Sequence, residues 1–212
     1  MPRDLQAEIR AGAEGRLSFE EAWPAIDAIP GWLSPGQERC LYDLAAGLPN
    51  DARILEVGCY LGRSSAALAS ACRGTSKHIF CMDTFCGNDS DFVNGENSIS
   101  WEGDDFLGVY DANLRKAGLR SFVTPLRGMS HDLVACWCEP LDMLFIDAGH
   151  EYEDVLRDVE LYFPFVKQGG IVALHDVTPG WPGVYRVWNE HAKPLLVEHG
   201  ARGSLAYGTK RG

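Results

Sequence analysis

The chain has no uninterrupted apolar run near the roughly 20 residues that a membrane-spanning helix needs. Met1 to Gly15 is polar and mixed in charge, without the apolar stretch of a secretory leader. A cytoplasmic location is therefore expected. Basic residues are few: 19 Lys and Arg against 30 Asp and Glu leave a formal charge of −11. Binding to nucleic acid needs clustered cations on a face. Those present are scattered, so neither nucleic acid nor membrane is an expected partner, and a small molecule, or a sugar on a larger carrier, is. The seven cysteines are an odd number, which with no leader points to reduced thiols. Cys81 with Cys86, and Cys136 with Cys138, lack the spacing of a zinc-finger pair. Buried small hydrophobes are the expectation for all seven. Internal repeats, low-complexity tracts and the phosphate-cradling G-x-G-x-x-G turn are missing as well.

What is present is a regular alternation. Residues 1–48 read as a helical segment that packs on or caps a site, and residues 49–212 as the main domain. Ser34 and Pro35 are placed to start a helix running toward Pro49. Short apolar strands follow over Arg53 to Val57, His78 to Met82, Phe122 to Leu126, Leu141 to Ile146 and Ile171 to Leu174. Helices are expected between them, over Arg63 to Cys72, Asp104 to Ala117, Ser130 to Cys138 (capped by Ser130) and Glu151 to Val166. The last shows Tyr152, Val155, Leu156, Val159, Phe163 and Val166 at spacings of three and four, one apolar face. A helix near Val184 to Ala192 and two strands over Leu195 to Lys210 complete the chain. Continuously apolar strands separated by helices predict an α/β, mostly parallel sheet with helices on both faces. The tail adds a C-terminal antiparallel hairpin. Such sheets bind ligands at the carboxyl ends of their strands.

At those ends stand the residues of interest. Glu56-Val57-Gly58-Cys59-Tyr60-Leu61-Gly62 runs from the first strand into a glycine turn, followed by Ser64. Glycine there takes a positive φ and admits a ligand close to the backbone. Its spacing does not suit a dinucleotide pyrophosphate. Asp83 ends the second strand, where an acid accepts from ribose hydroxyls. Gly128-Met129-Ser130 follows the third and offers room for an adenine ring. Phe145-Ile146-Asp147-Ala148-Gly149-His150-Glu151-Tyr152 and Gly169-Gly170-Ile171-Val172-Ala173-Leu174-His175-Asp176-Val177 follow downstream. Together these stretches resemble the class I S-adenosylmethionine-dependent methyltransferases, over roughly Trp32 to the C-terminus. Within that class the last two resemble the small-molecule branch of macrocin-type O-methyltransferases and cephalosporin-hydroxylase-like proteins. The resemblance implies bound S-adenosyl-L-methionine, held by Glu56, Gly58, Tyr60, Gly62, Ser64, Asp83, Gly128, Met129, Ser130 and Asp147. It implies a Rossmann-like, doubly wound sheet and, in several relatives, a divalent metal.

Asp147 and Asp176 end adjacent strands, so their carboxylates are expected within a few ångströms of each other. Oxygen donors of this kind suit a hard cation such as Mg²⁺, or another divalent ion, on Asp147, His175 and Asp176. The ion would lower the pKa of an acceptor hydroxyl, and His150 would take its proton. In catechol-type relatives the pair in place of His175-Asp176 is Asp-Asn, and the base in place of His150 is lysine. The departure at His175 leaves open a ligand, a supporting group or a metal-free enzyme. The expected reaction is methyl transfer to a hydroxyl of a sugar or natural product. A metal-independent O- or N-methyltransferase and a non-catalytic cofactor-binding subunit are the alternatives. The loop over Cys86 to Gly103, with Phe92 and Trp101, is expected to cover the site, with Thr178 to Gly183 opposite. The apolar stretch Phe19 to Leu33 is expected to cover the site or meet a partner, such as a second copy of the chain.

Overall fold

Apolar residues of each strand alternate between two faces, and both faces are buried, so the chain forms three layers. The computed structural model describes Gly15, residues 17–87 and residues 106–212. Most of the loop expected to cover the site, with Phe92 and Trp101, lies outside the described residues. So does most of the N-terminal stretch before residue 17.

In chain order the elements are α1 (Phe19–Asp27), α2 (Gln37–Gly47), β1 (Arg53–Val57), α3 (Arg63–Ser70), β2 (His78–Asp83), α4 (Phe106–Lys116) and β3 (Val123–Arg127). Then come α5 (Ser130–Leu133), β4 (Leu141–Ile146), α6 (Tyr152–Tyr162), β5 (Val166–Leu174), α7 (Pro182–Val187), β6 (Leu196–Arg202) and β7 (Leu205–Lys210). The seven strands lie in the order β3-β2-β1-β4-β5-β7-β6. The first five pair in parallel, and β7 is antiparallel to both its neighbours. This is the mostly parallel sheet with a terminal hairpin that the alternation predicts, and the Rossmann-like winding that the resemblance implies. One face buries Ile54, Ile79, Met143 and Phe145 under α1 to α4. The other buries Leu55, Leu144, Ile146 and Val172 under α6 and α7.

Several boundaries differ from the sequence reading, each for a local reason. The helix after Pro35 begins at Gln37, because Gly36 takes φ +88° and turns the chain. Gln37 then accepts at 2.6 Å from the Ser34 backbone N–H. The helix from Tyr152 stops at Tyr162, since Pro164 cannot continue it, and Val166 already belongs to β5. Ser130 does not cap its helix: Met129 is the N-cap residue, and the Ser130 hydroxyl donates to Asp158. A π-turn over Trp188–Ala192 extends α7. No helix among the described residues is long and apolar enough to cross a membrane. All seven cysteines are free. Cys59, Cys72 and Cys81 are buried, but Cys86, Cys136 and Cys138 are exposed, against the expectation of burial for all. The last two stand where a short 3-10 turn leads out to the surface.

Candidate active site

The strand ends are tied by hydrogen bonds that continue the sheet past its last residues. Gly58 N–H donates to Met82 O, Asp147 N–H to Val57 O, Gly128 N–H to Asp83 O and His175 N–H to Ile146 O, at 2.8 to 3.0 Å. The loops leaving β1, β2, β3 and β4 therefore start in one row. Along that row runs a cavity of about 510 Å³, the size of a small-molecule site. Gly58, Tyr60, Asp83, Gly128, Met129, Ser130 and Asp147 all line it.

The turn after β1 is shaped by backbone constraints. Gly58 adopts φ +85°, Tyr60 φ +44° and Gly62 φ +96°. A Cβ on Gly58 would press on the backbone of Asp147 and Ala148. The turn is locked from below by Asp83. Its Oδ2 accepts from the backbone N–H groups of Cys59 and Tyr60, both at 2.9 Å, and its Oδ1 accepts from Phe85 N–H at 2.7 Å. Asp83 thus holds the turn as well as lining the cavity.

Glu56, Gly62 and Ser64 are not in the cavity wall. Glu56 shares a strand face with Ile54 and points under α3, fully buried against Ser65 and Cys81. Burial pushes its carboxyl up to about 7, against the hydrogen bonds of Ser64, Ser65 and Cys81. Its expected place beside a bound ligand is corrected to a core position beneath the turn. Gly62 is the N-cap of α3, where a side chain would meet the Tyr110 ring, and Ser64 is buried in the first turn of that helix.

Beyond Asp147 the cavity borders a cluster of four charged or ionisable side chains. His175 is buried, with Nδ1 at 3.1 Å from Asp147 Oδ1 and 3.3 Å from Asp176 Oδ2. His150 Nε2 lies 3.0 Å from the same Asp176 oxygen. The Trp181 ring stacks on His150 at 4.2 Å. Gly183 lets α7 come close enough for this, since a Cβ there would meet the Tyr152 nitrogen at 2.7 Å. Asp176 itself holds φ +57°, a conformation that Asp tolerates better than most residues.

Sequence reasoning missed Gln37, which orients the His175 ring. Its amide Nε2 donates to Arg202 O at 3.1 Å and to Ser204 Oγ at 2.9 Å. A carbonyl only accepts, so the amide orientation is fixed and Oε1 faces His175 Nε2 at 2.9 Å. His175 therefore donates from Nε2, and Nδ1 is the nitrogen turned to the carboxylates. Burial opposes its charge, but the hydrogen bonds and charges of Asp147 and Asp176 win, and its pKa rises to about 10. Asp176 responds in the opposite sense. Burial raises it, yet the bonds from His150 and His175 hold it well below the ordinary carboxylate range.

The raised His175 has a consequence for stability. Its ordinary value of 6.5 becomes about 10 on folding, so its contribution is fully present below pH 6.5. It shrinks across the window from 6.5 to about 10 and is gone above it. Its size below pH 6.5 is on the order of a few kcal/mol. Thermal unfolding of metal-free protein should show the gap between wild type and His175→Gln closing between pH 6.5 and 10. A gap that stays constant over that range would contradict the assignment.

Comparison with known proteins follows the same outline. The model of a methyltransferase domain family matches residues 55–177, from within β1 past the end of β5, and so includes Asp83, Asp147 and Asp176. Among solved structures, cofactor-bound Rv0187 from MTB superposes with a TM-score of 0.64 at 19% identity, covering 100% of this chain and 99% of that one. The O-methyltransferase TomG from Streptomyces achromogenes, involved in tomaymycin synthesis and solved with SAM, gives 0.63 at 20% identity over 99% and 92%. An O-methyltransferase from Bacillus cereus in complex with SAH gives 0.61 at 18% over 99% and 93%. At these identities the likeness is one of fold. An uncharacterized protein R132 of Acanthamoeba polyphaga mimivirus shares 42% identity over 36 residues, only 17% of this chain and 16% of that one.

Proposed function

This chain belongs to the methyltransferase domain family, and from that premise we propose that it transfers a methyl group from S-adenosylmethionine to a hydroxyl of a small molecule. The observation that carries the reading is one continuous cavity, from Asp83 and Gly128 past Gly58 to Asp147, that ends beside the His150–Asp176–His175 cluster. Its volume suits a nucleoside-sized ligand, and Gly58 lines it with its backbone packed directly on that of Asp147 and Ala148. When bound, S-adenosylmethionine supplies the electrophilic methyl group. The solved relatives named above, two of them O-methyltransferases, support a hydroxyl acceptor, and the role of TomG in tomaymycin synthesis supports a natural product.

The chain's own groups divide the remaining work. His150 gives its Nε2–H to Asp176 and so keeps Nδ1 as the lone pair that takes the acceptor's proton. Asp176 offsets the positive charge that then develops on the ring, and the Trp181 stack fixes the ring plane. Asp147 stands at the joint between cavity and cluster.

The residues also fit a divalent ion. One donor atom each from Asp147, His175 and Asp176 lies within 4.8 Å of the others. The separations of 3.1 and 3.3 Å match neighbouring ligands on one ion with bonds of about 2.1 Å. Such an ion would act as a Lewis acid on the acceptor oxygen. An imidazole beside two carboxylates suits Mn²⁺ or a later first-row ion better than Mg²⁺. A second reading, transfer without metal, is favoured by the placement of His175 Nδ1, which faces both carboxylates at 3.1 and 3.3 Å and bridges them where a cation would.

One set of assays tests these readings. Calorimetry should show S-adenosylhomocysteine binding, and a panel of hydroxyl acceptors should show its release from S-adenosylmethionine. If EDTA lowers the rate at least tenfold and Mn²⁺ restores it more fully than Mg²⁺, the metal reading stands. An EDTA-insensitive rate selects the metal-free one. No binding of either sulfur compound would refute the function itself.

A further inference from the structure

At the end of the cavity away from His175 sits a carboxylate that nothing above accounts for. Asp158 lies on α6, is buried, and lines the cavity together with Gly128, Met129, Ser130, His131 and Arg157. A buried acid in a helix core is held by its partners or it is costly. One partner is present. The Ser130 hydroxyl donates to Asp158 Oδ1, and Tyr162 Oη donates at 2.6 Å to Ser130 O, so the loop after β3 is clamped to α6 at two points. The other oxygen, Oδ2, accepts from no described donor. Arg157 is adjacent in sequence, but its guanidinium bonds Asp154 at 3.0 Å. No described basic side chain forms an ion pair with Asp158. Burial accordingly raises its pKa, with the Ser130 bond acting against that.

The position of this oxygen decides what it can bind. Gly58 and Asp147 border the end of the cavity where the methyl group must meet the acceptor, and Asp83 comes next along the row. That leaves the stretch between Met129 and Asp158 for the base of the cofactor. An oxygen there with open lone pairs needs an N–H donor from the ligand. The Ser130 hydroxyl hydrogen is already given to Asp158, so Ser130 has no hydrogen left to offer a ring nitrogen of the ligand. Adenine carries its exocyclic amino group on the edge away from the ribose.

We propose that Asp158 accepts a hydrogen bond from the adenine amino group through Oδ2, and thereby selects an amino-bearing purine in the cofactor site. The inference rests on the S-adenosylmethionine reading above and adds a specificity residue to it. Ser130 serves as the positioning residue, since it fixes one carboxylate oxygen so that the other faces the ligand.

The test compares S-adenosylhomocysteine with its 6-deamino analogue, in which purine replaces adenine, by calorimetry in the absence of acceptor. Wild type should favour the amino compound by roughly 10- to 100-fold, the range for a hydrogen bond to a charged group. Asp158→Ala should bind the two within about threefold of each other, whereas Asp158→Asn, which keeps an acceptor oxygen, should retain part of the preference. Equal binding of the two compounds by wild type overturns the proposal and leaves the cofactor reading intact. So does an Asp158→Ala variant that keeps the whole preference. Should wild type bind neither compound, the cofactor reading fails and the proposal with it. Should the alanine variant not fold, Asp158→Asn carries the test, and an asparagine variant with the undiminished wild-type preference overturns the proposal.

Discussion

Replacing Asp176 by asparagine is expected to slow methyl transfer by roughly 10³-fold, within the range spanned by general acid–base groups, while S-adenosylhomocysteine affinity changes less than threefold. Asparagine matches aspartate in shape and tolerates φ +57°, so the end of β5 keeps its course. What is lost is the charge. Asp176 Oδ2 is the shared partner of His150 at 3.0 Å and His175 at 3.3 Å. An amide that turns its NH₂ toward His150 would compete for the wrong ring nitrogen, and one that turns its oxygen would leave the protonated ring without a counter-charge. In the metal-dependent case a donor weakens as well, which acts in the same direction. Asp176 is not among the residues that line the cavity, so cofactor binding has no cause to fall. Single-turnover transfer of a labelled methyl group, paired with calorimetry, reads both quantities. A rate within tenfold of wild type would remove Asp176 from the chemistry, and a parallel loss of affinity would point to a collapsed site instead.

How far the sequence reveals this site depends on the range of the interaction concerned. Strand ends are local features. Apolar runs that stop at Asp83, Asp147 and Asp176 are visible in the chain, and parallel pairing brings them into one row. The inward side of a strand is also readable, although it was misjudged for Glu56. Counting by two from Ile54 puts Glu56 on the face covered by α3, and only Val57 on the cavity side. Gln37 is a different case. It touches His175 across 138 residues of sequence, and an isolated glutamine at the start of a helix carries no sign of that contact. Asp158 likewise reads as one more acid on the polar side of α6, until Ser130 is seen to donate to it. Ser130 has the composition of a helix cap, and a tertiary partner took its hydroxyl instead.

Glycine 58 is where local conformation and tertiary packing act on the same atom, and Gly58→Ala is expected to cost at least 100-fold in S-adenosylhomocysteine affinity. Its φ of +85° alone costs a non-glycine residue about 1 to 2 kcal/mol. The new methyl group would also stand 2.5 Å from the carbonyl carbon of Asp147 and 2.7 Å from Cα of Ala148. Neither can yield easily, because both neighbours are backbone. Asp147 N–H is tied to Val57 O and Gly58 N–H to Met82 O, each at 2.8 Å, so relief requires parting β1 from β4 at their carboxyl ends. That displacement moves the cavity floor and Asp147 together. A loss of roughly 2 to 4 kcal/mol in stability should accompany it, by the combined strain and overpacking. Gly62→Ala supplies the contrast. Its φ of +96° is as unfavourable, but the added carbon meets the Tyr110 ring at 3.1 Å, a side chain that can shift, and Gly62 is not in the cavity wall. It should destabilise the fold while keeping affinity within a few-fold. Thermal unfolding and calorimetry on the two variants separate strain from site geometry. Should Gly58→Ala bind as wild type does, or should both variants lose affinity equally, the packing of Gly58 on the Asp147 backbone would not be what shapes the cofactor site.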